Sequence, residues 1–134
     1  MSGAERPGAI SVIIPCYNGE AFVADAIGSV LAQELAPHEI IVVDDGSTDR
    51  SAARVAAFGD AVRLLRGPHR GICAARNRGF AAAEGELIAW LDADDLWEPE
   101  ALRVLAEALA ADRSLAGVYG MVEQFSTEDV AERR

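Results

Sequence analysis

The chain has 134 residues, a formal net charge of −10, and 51% hydrophobic content with only 6% aromatics. That length fits one domain with a sizeable core, and the apolar fraction excludes a disordered polypeptide. The acidic balance argues against nucleic-acid or anionic-membrane binding through bulk charge, so an anionic substrate needs local help.

All twelve basic residues are arginine, which excludes any site built on lysine, the phosphate-binding P-loop included. Cys16 and Cys73 lie far apart, with no Cys-x-x-Cys or Cys/His cluster. Neither a zinc site nor a disulfide framework is signalled, and both read as buried packing thiols. The polar stretch 1–8 lacks the apolar core of a signal peptide, and no run is long enough for a membrane span. A cytoplasmic location is the default expectation.

In chain order, Ile10-Ser11-Val12-Ile13-Ile14 is a β-branched run that reads as a buried strand stopped by Pro15. A turn at 16–19 precedes a helix from Glu20, whose apolar stripe is Phe22, Val23, Ala26, Ile27, Val30 and Leu31. Pro37 lies beyond its end. A second strand, Glu39 to Val43, stops at Asp44 and Asp45. Ser47, Thr48 and Asp49 are good helix caps, so a helix carrying Val55 and Phe58 is expected from about Arg50. A weaker third strand covers 61–65, a glycine-bounded loop 67–71, and an alanine-rich helix 72–83.

Leu87 to Leu91 is a short apolar run between Gly85 and the acids Asp92, Asp94 and Asp95, which reads as a buried parallel strand. Three carboxylates so close repel one another, and are held together by solvation, protonation or a cation. The turn therefore reads either as a helix-capping segment or as an oxygen site for Mg²⁺ or Mn²⁺. Trp90 and Trp97 flank it and are expected to pack in the core. Pro99 suits the first turn of a helix to about Asp112, with Leu102, Leu105 and Leu109 on one face. Residues 115–122 are a last strand candidate, and the tail from Phe125 is charged.

This alternation of strand and helix predicts an α/β domain with a mostly parallel sheet, helices on both faces and right-handed crossovers. Ligands of such sheets bind beyond the carboxyl ends of the strands. Pro15-Cys16-Tyr17-Asn18, Asp44-Asp45 and the Asp92–Asp95 turn all fall on that edge.

In register, Ser11-Val12-Ile13-Ile14-Pro15-Cys16-Tyr17-Asn18, Ile41-Val42-Val43-Asp44-Asp45-Gly46-Ser47-Thr48-Asp49, Ala74-Ala75-Arg76-Asn77-Arg78-Gly79 and Leu91-Asp92-Ala93-Asp94-Asp95 resemble the family 2 glycosyltransferases. The resemblance implies a GT-A fold, with a Rossmann-like nucleotide-binding half, and inverting transfer from a nucleotide-diphosphate sugar to an unspecified acceptor. It implies that Pro15 and Tyr17 border the nucleotide, and that Asp44 hydrogen-bonds base or ribose. Arg76 would lie near the nucleotide or its diphosphate, Asp92 would face ribose or metal, and Asp94 would ligate Mg²⁺ or Mn²⁺. Asp45 would be a supporting residue that orders its loop.

In that family a later part of the chain supplies the acceptor site and the catalytic base. Glu123, Glu128 and Asp129 sit in no recognisable base motif, so the expectation is a nucleotide-sugar-binding half that lacks its base. The expected layout is a flexible start at 1–8, the nucleotide-sugar-binding domain at 9–124 and a polar tail at 125–134. An open sheet edge would favour self-association.

Other readings meet specific obstacles. An EF-hand loop starting at Asp92 would have Leu96 at its fifth position and Trp97 where glycine is required. No Gly-x-Gly-x-x-Gly follows the first strand, as a dinucleotide-binding domain would need, and a phospho-receiver domain uses a lysine. A non-catalytic nucleotide-binding module is supported by the same motifs.

Overall fold

The computed structural model describes residues 8–120. The elements are β1 (Ile10–Cys16), α1 (Val23–Leu31), β2 (Glu39–Asp45), α2 (Ser51–Ala56), a 3₁₀ turn (Gly59–Ala61), β3 (Arg63–Gly67), α3 (Ile72–Ala82), β4 (Leu87–Trp90) and α4 (Ala101–Ala111). Among the described residues the strands form one sheet in the order β3-β2-β1-β4, every neighbouring pair parallel.

Both faces of the central strands β1 and β2 are covered, as their continuous apolar runs require. Val12, Ile14, Ile40 and Val42 pack with Val23, Ile27 and Val30 of α1, Val55 of α2 and Leu102 of α4. Ile13, Ile41 and Val43 face the other way, onto Ala75 of α3. Helix α3 turns only small residues, Ala75 and Gly79, into the interior. It therefore sits close: a Cβ on Gly79 would lie 2.5 Å from Ile13 Cγ2 and 3.2 Å from Val43 Cγ2.

Several sequence expectations are corrected. Strand β1 runs through Pro15 to Cys16, with Pro15 opposite Val43. The carbonyls of Ile10 and Ile13 accept from His38 and Leu91, on opposite sides of β1. That alternation aims the missing Pro15 N–H toward β4, whose pairing ends at Trp90, so no ladder bond is lost. Strand β3 lies two residues later than the apolar run indicated, because its register is dictated by β2. Pro99 precedes α4 instead of opening it. Trp90 is 45% exposed, since α3 lies across β1 and β2 and leaves β4 uncovered on that face. Cys73 is exposed, being off the Ala75–Gly79 stripe, whereas Cys16 is buried.

Residues 115–120 form no strand, and Tyr119 is 96% exposed. An apolar run becomes a strand only where a neighbour offers a hydrogen-bonding edge. Residues 121–122 of that candidate, the tail from Phe125, the acids Glu123, Glu128 and Asp129, and positions 1–7 of the flexible start lie outside the described residues. Among the described residues, no helix is long and apolar enough to cross a membrane.

The close α3 contact predicts opposite outcomes for two helix glycines. Gly28→Ala meets nothing within 4 Å and should stabilise by about 0.5–1 kcal/mol through helix propensity. Gly79→Ala gains the same propensity but must push aside a stiff buried isoleucine, for a net loss of about 1–2 kcal/mol. Urea denaturation of both variants measures the contrast.

Candidate functional site

The carboxyl ends of β1 and β2 are joined by a clip of short hydrogen bonds. Asn18, left-handed at φ 48, donates its N–H to Ser47 Oγ at 2.9 Å and accepts the Thr48 N–H on Oδ1 at 2.8 Å. Gly19 N–H donates to Ser51 Oγ at 2.9 Å, and Glu20 N–H to Asp49 Oδ2 at 3.1 Å. Asp49 also accepts the Ser51 N–H and hydroxyl. The cap position of α2 is Arg50, which makes no side-chain capping bond; the expected caps Ser47, Thr48 and Asp49 instead tie down the turn that precedes α1.

Behind that clip, Asp44 and Asp45 diverge. Asp44 is 2% exposed, accepts the Ser47 N–H at 3.3 Å, and lies 3.8 Å from Nε of the exposed Arg66. Asp45 accepts the backbone N–H groups of Arg70 and Gly71 at 2.8 and 2.9 Å, and lies 2.9 Å from His69 Nδ1. Burial alone would raise the Asp45 carboxyl, but those two amides and His69 hold it below its ordinary value. Gly46 makes the approach possible: it has φ +73, and a Cβ there would lie 2.5 Å from the His69 nitrogen. The His69 ring stacks on Tyr17 with centroids 4.0 Å apart and planes at 25°.

Between the ends of β2 and β3 and the first half of α3 lies a cavity of about 410 Å³, lined by Asp44, Asp45, Arg66, Pro68, Arg70 and Arg78 among others. Arg78 also donates to the Arg66 carbonyl at 2.6 Å, bracing β3 against α3. Basic side chains thus surround two buried carboxylates in a strongly acidic protein.

The third strand end is acidic. Asp92, Asp94 and Asp95 are exposed and bring carboxylate oxygens within 4.8 Å of one another, on a turn closed by Asp95 N–H donating to the Asp92 carbonyl at 3.0 Å. Arg76 of α3 approaches Asp92 at 3.5 Å. Desolvation first, then the charges of Asp94 and Asp92, raise the Asp95 carboxyl above its ordinary value. Hard oxygen donors, open to solvent and in mutual repulsion, fit Mg²⁺ or Mn²⁺ retaining water or phosphate ligands. Asp92 and Asp94, with Asp95, are the residues that could hold such an ion.

The residues singled out from sequence thus fall into distinguishable places. Asp44 and Asp45 line the cavity, Arg76 joins the Asp92–Asp95 turn, and Tyr17 stacks over the loop that Asp45 orders. Pro15 is buried within β1. Sequence reasoning passed over Arg66, Arg70 and Arg78. A signal existed: residues 61–83 carry five arginines and no acid, in a chain of charge −10.

A family model described as "Glycosyl transferase family 2" matches residues 11–133. An uncharacterised glycosyltransferase of Nostoc sp. is 44% identical over 102 residues, covering 73% of this chain and 32% of the relative. The Escherichia coli enzyme WfgD, a UDP-Glc:α-D-GlcNAc-diphosphoundecaprenol β-1,3-glucosyltransferase, is 32% identical and matches 90% of this chain and 48% of its own. The chain therefore spans less than half the length of these relatives.

Residues 1–349 of Staphylococcus aureus TarS in complex with UDP-GlcNAc superpose with TM-score 0.68 at 29% identity, covering 77% of this chain and 31% of that fragment. The mannosyltransferase PcManGT of Pyrobaculum calidifontis, in complex with GDP-Man and Mn²⁺, gives 0.69 at 28%, covering 78% and 33%. The α/β fold is that of these GT-A enzymes.

The Asp45 cluster carries a pH prediction. Because its folded pKa is depressed, its contribution is complete above the unfolded carboxyl pKa of about 3.9 and is lost as pH falls through the folded value. Asp45→Asn should cost about 1.5–3 kcal/mol at pH 7. The gap between variant and parent should narrow below about pH 4, which denaturation curves at several pH values would measure.

Proposed function

The chain belongs to glycosyl transferase family 2, and from that premise we propose that its carboxyl sheet edge binds a nucleotide-diphosphate sugar as the donor for inverting glycosyl transfer. The observation that carries the reading is the presence on one sheet edge of an arginine-lined cavity with two buried carboxylates at β2 and β3 and, on the far side of β1 at the end of β4, a cluster of carboxylate oxygens. A nucleoside offers hydrogen-bonding edges to buried acceptors such as Asp44. A diphosphate offers negative charge, which suits arginine and a cation but not bare carboxylates.

Tyr17 and Pro15 border the nucleotide, Asp44 accepts from base or ribose, and Asp45 holds the His69–Gly71 loop in place without touching the donor. Arg76 leaves its exposed partner Asp92 for the more concentrated charge of the diphosphate. Asp94, with Asp92, would hold Mg²⁺ or Mn²⁺, and that ion when bound would supply positive charge to stabilise the departing diphosphate. An acceptor hydroxyl then forms the new bond to the anomeric carbon as the bond to diphosphate breaks, inverting its configuration. The named residues bind and orient the donor; the carboxylate that takes the acceptor's proton is not among them.

Calorimetric titration with UDP and with GDP, each in Mn²⁺ and in chelator, tests the proposal. Binding in Mn²⁺ should fall by about tenfold or more in chelator, and Asp94→Asn should lose a similar factor with its thermal unfolding unchanged. Equal affinity in both buffers would sink the metal role, and absence of nucleotide binding in Mn²⁺ would sink the donor reading.

A further inference from the structure

The acidic turn is suspended between two anchors. On its amino side Leu91 is buried and donates its N–H to the Ile13 carbonyl at 3.1 Å. On its carboxyl side the chain is tied to the end of α1, a helix that supplies no residue to the site described above. Trp97 N–H donates to Ser29 Oγ at 3.2 Å, and Glu34 N–H to the Pro99 carbonyl at 2.8 Å.

Between those bonds lies Gln33, only 8% exposed. Its amide nitrogen donates to the Glu98 carbonyl at 2.7 Å and to the Ser29 carbonyl at 3.0 Å, while its oxygen accepts the Leu102 N–H at 2.9 Å. Leu102 lies in the first turn of α4, where backbone N–H groups have no intrahelical partner, and Glu100 at that cap makes no side-chain capping bond. One side chain therefore uses both amide hydrogens and its carbonyl to join α1, the exit of the acidic turn and the start of α4.

We propose that Gln33, assisted by Ser29, is a positioning residue for the acidic turn, holding Asp92, Asp94 and Asp95 at the spacing a divalent cation requires. The three carboxylates repel one another, and a turn tethered at one end would relax by spreading them. Fixing both ends denies that relaxation, so the turn meets the cation already ordered. The functional consequence rests on the donor-binding reading above, whereas the anchoring geometry stands without it.

The test compares the unsubstituted chain with Gln33→Met, which keeps length and volume but neither donor nor acceptor, and Gln33→Glu, which keeps the acceptor for Leu102 alone. Ser29→Ala, a smaller change outside the Gln33 amide, removes the Trp97 bond together with the hydroxyl's own 2.7 Å bond to the Ala26 carbonyl inside α1, and covers the case in which Gln33→Met fails to fold. Amide hydrogen exchange without metal reads the anchor, and Mn²⁺ affinity, from water-proton relaxation with and without UDP, reads its consequence.

Exchange at Leu102 and across 92–98 should quicken by about fivefold or more in Gln33→Met. In Gln33→Glu, Leu102 should stay protected while 92–98 quickens, and in Ser29→Ala the change should centre on Trp97. Mn²⁺ affinity should fall by about tenfold in Gln33→Met, as for outer partners of metal ligands, and less in the other two. Unchanged exchange at 92–98 would overturn the anchor, and faster exchange with unchanged Mn²⁺ affinity would overturn the positioning role. If the unsubstituted chain bound no Mn²⁺ with or without UDP, the metal role in the donor-binding reading would fail and the positioning role with it, a result separable from any exchange outcome.

Discussion

Everything at the candidate site depends on the pairing of β1 with β2. The two strands run parallel with Cys16 opposite Asp44, and both are buried on both faces. A ladder of that kind cannot slip by one residue without exchanging the side chains packed against the two helix layers. The register therefore locates the strand ends, Tyr17 just past β1 and the Asp45–Gly46 corner that closes β2, to within the tolerance of a packed core. The loops add local bonds to a placement the core has already made.

Those local bonds perform two separate tasks. The clip from Asn18, Gly19 and Glu20 to Ser47, Asp49 and Ser51 satisfies backbone donors that would otherwise be stranded between two helix starts. The Asp45 cluster instead reaches across to the start of α3, so that the β3–α3 loop, with His69 over Tyr17, is held from β2. Both carboxylates line the cavity, but Asp45 is thereby consumed in structure, whereas Asp44 accepts the Ser47 N–H at 3.3 Å.

Charge is distributed to match. A net charge of −10 disfavours any anion at long range, yet the acid-free stretch 61–83 delivers Arg66, Arg70 and Arg78 to one cavity and Arg76 to the edge of the acidic turn. Among the described residues their ion pairs are long: Arg66 lies 3.8 Å from Asp44, and Arg76 donates to Asp92 at 3.5 Å. Cations held this loosely in the resting protein remain available to an anionic ligand.

Much of this was written in the chain itself. β-branched runs at 10–14 and 39–43, the acids that end two of the strands and the regular alternation of elements specify a doubly covered parallel sheet, because apolar periodicity is a local property that needs no partner to be read. What tertiary structure decided was every feature that depends on a neighbour. Pro15 stays inside β1 because β4 is short, and Trp90 is exposed because α3 leaves β4 uncovered. Residues 115–120 remain unpaired although apolar. The same holds for the arginines, close in sequence but turned into a single cavity only by the β3–α3 connection, and for Gln33. Gln33 is 65 residues from the carbonyl it holds. A glutamine just past a helix end says nothing about such a contact until the core has set α1 against the segment that leaves the acidic turn, since hydrogen-bonding capacity belongs to the residue and its partner belongs to the fold.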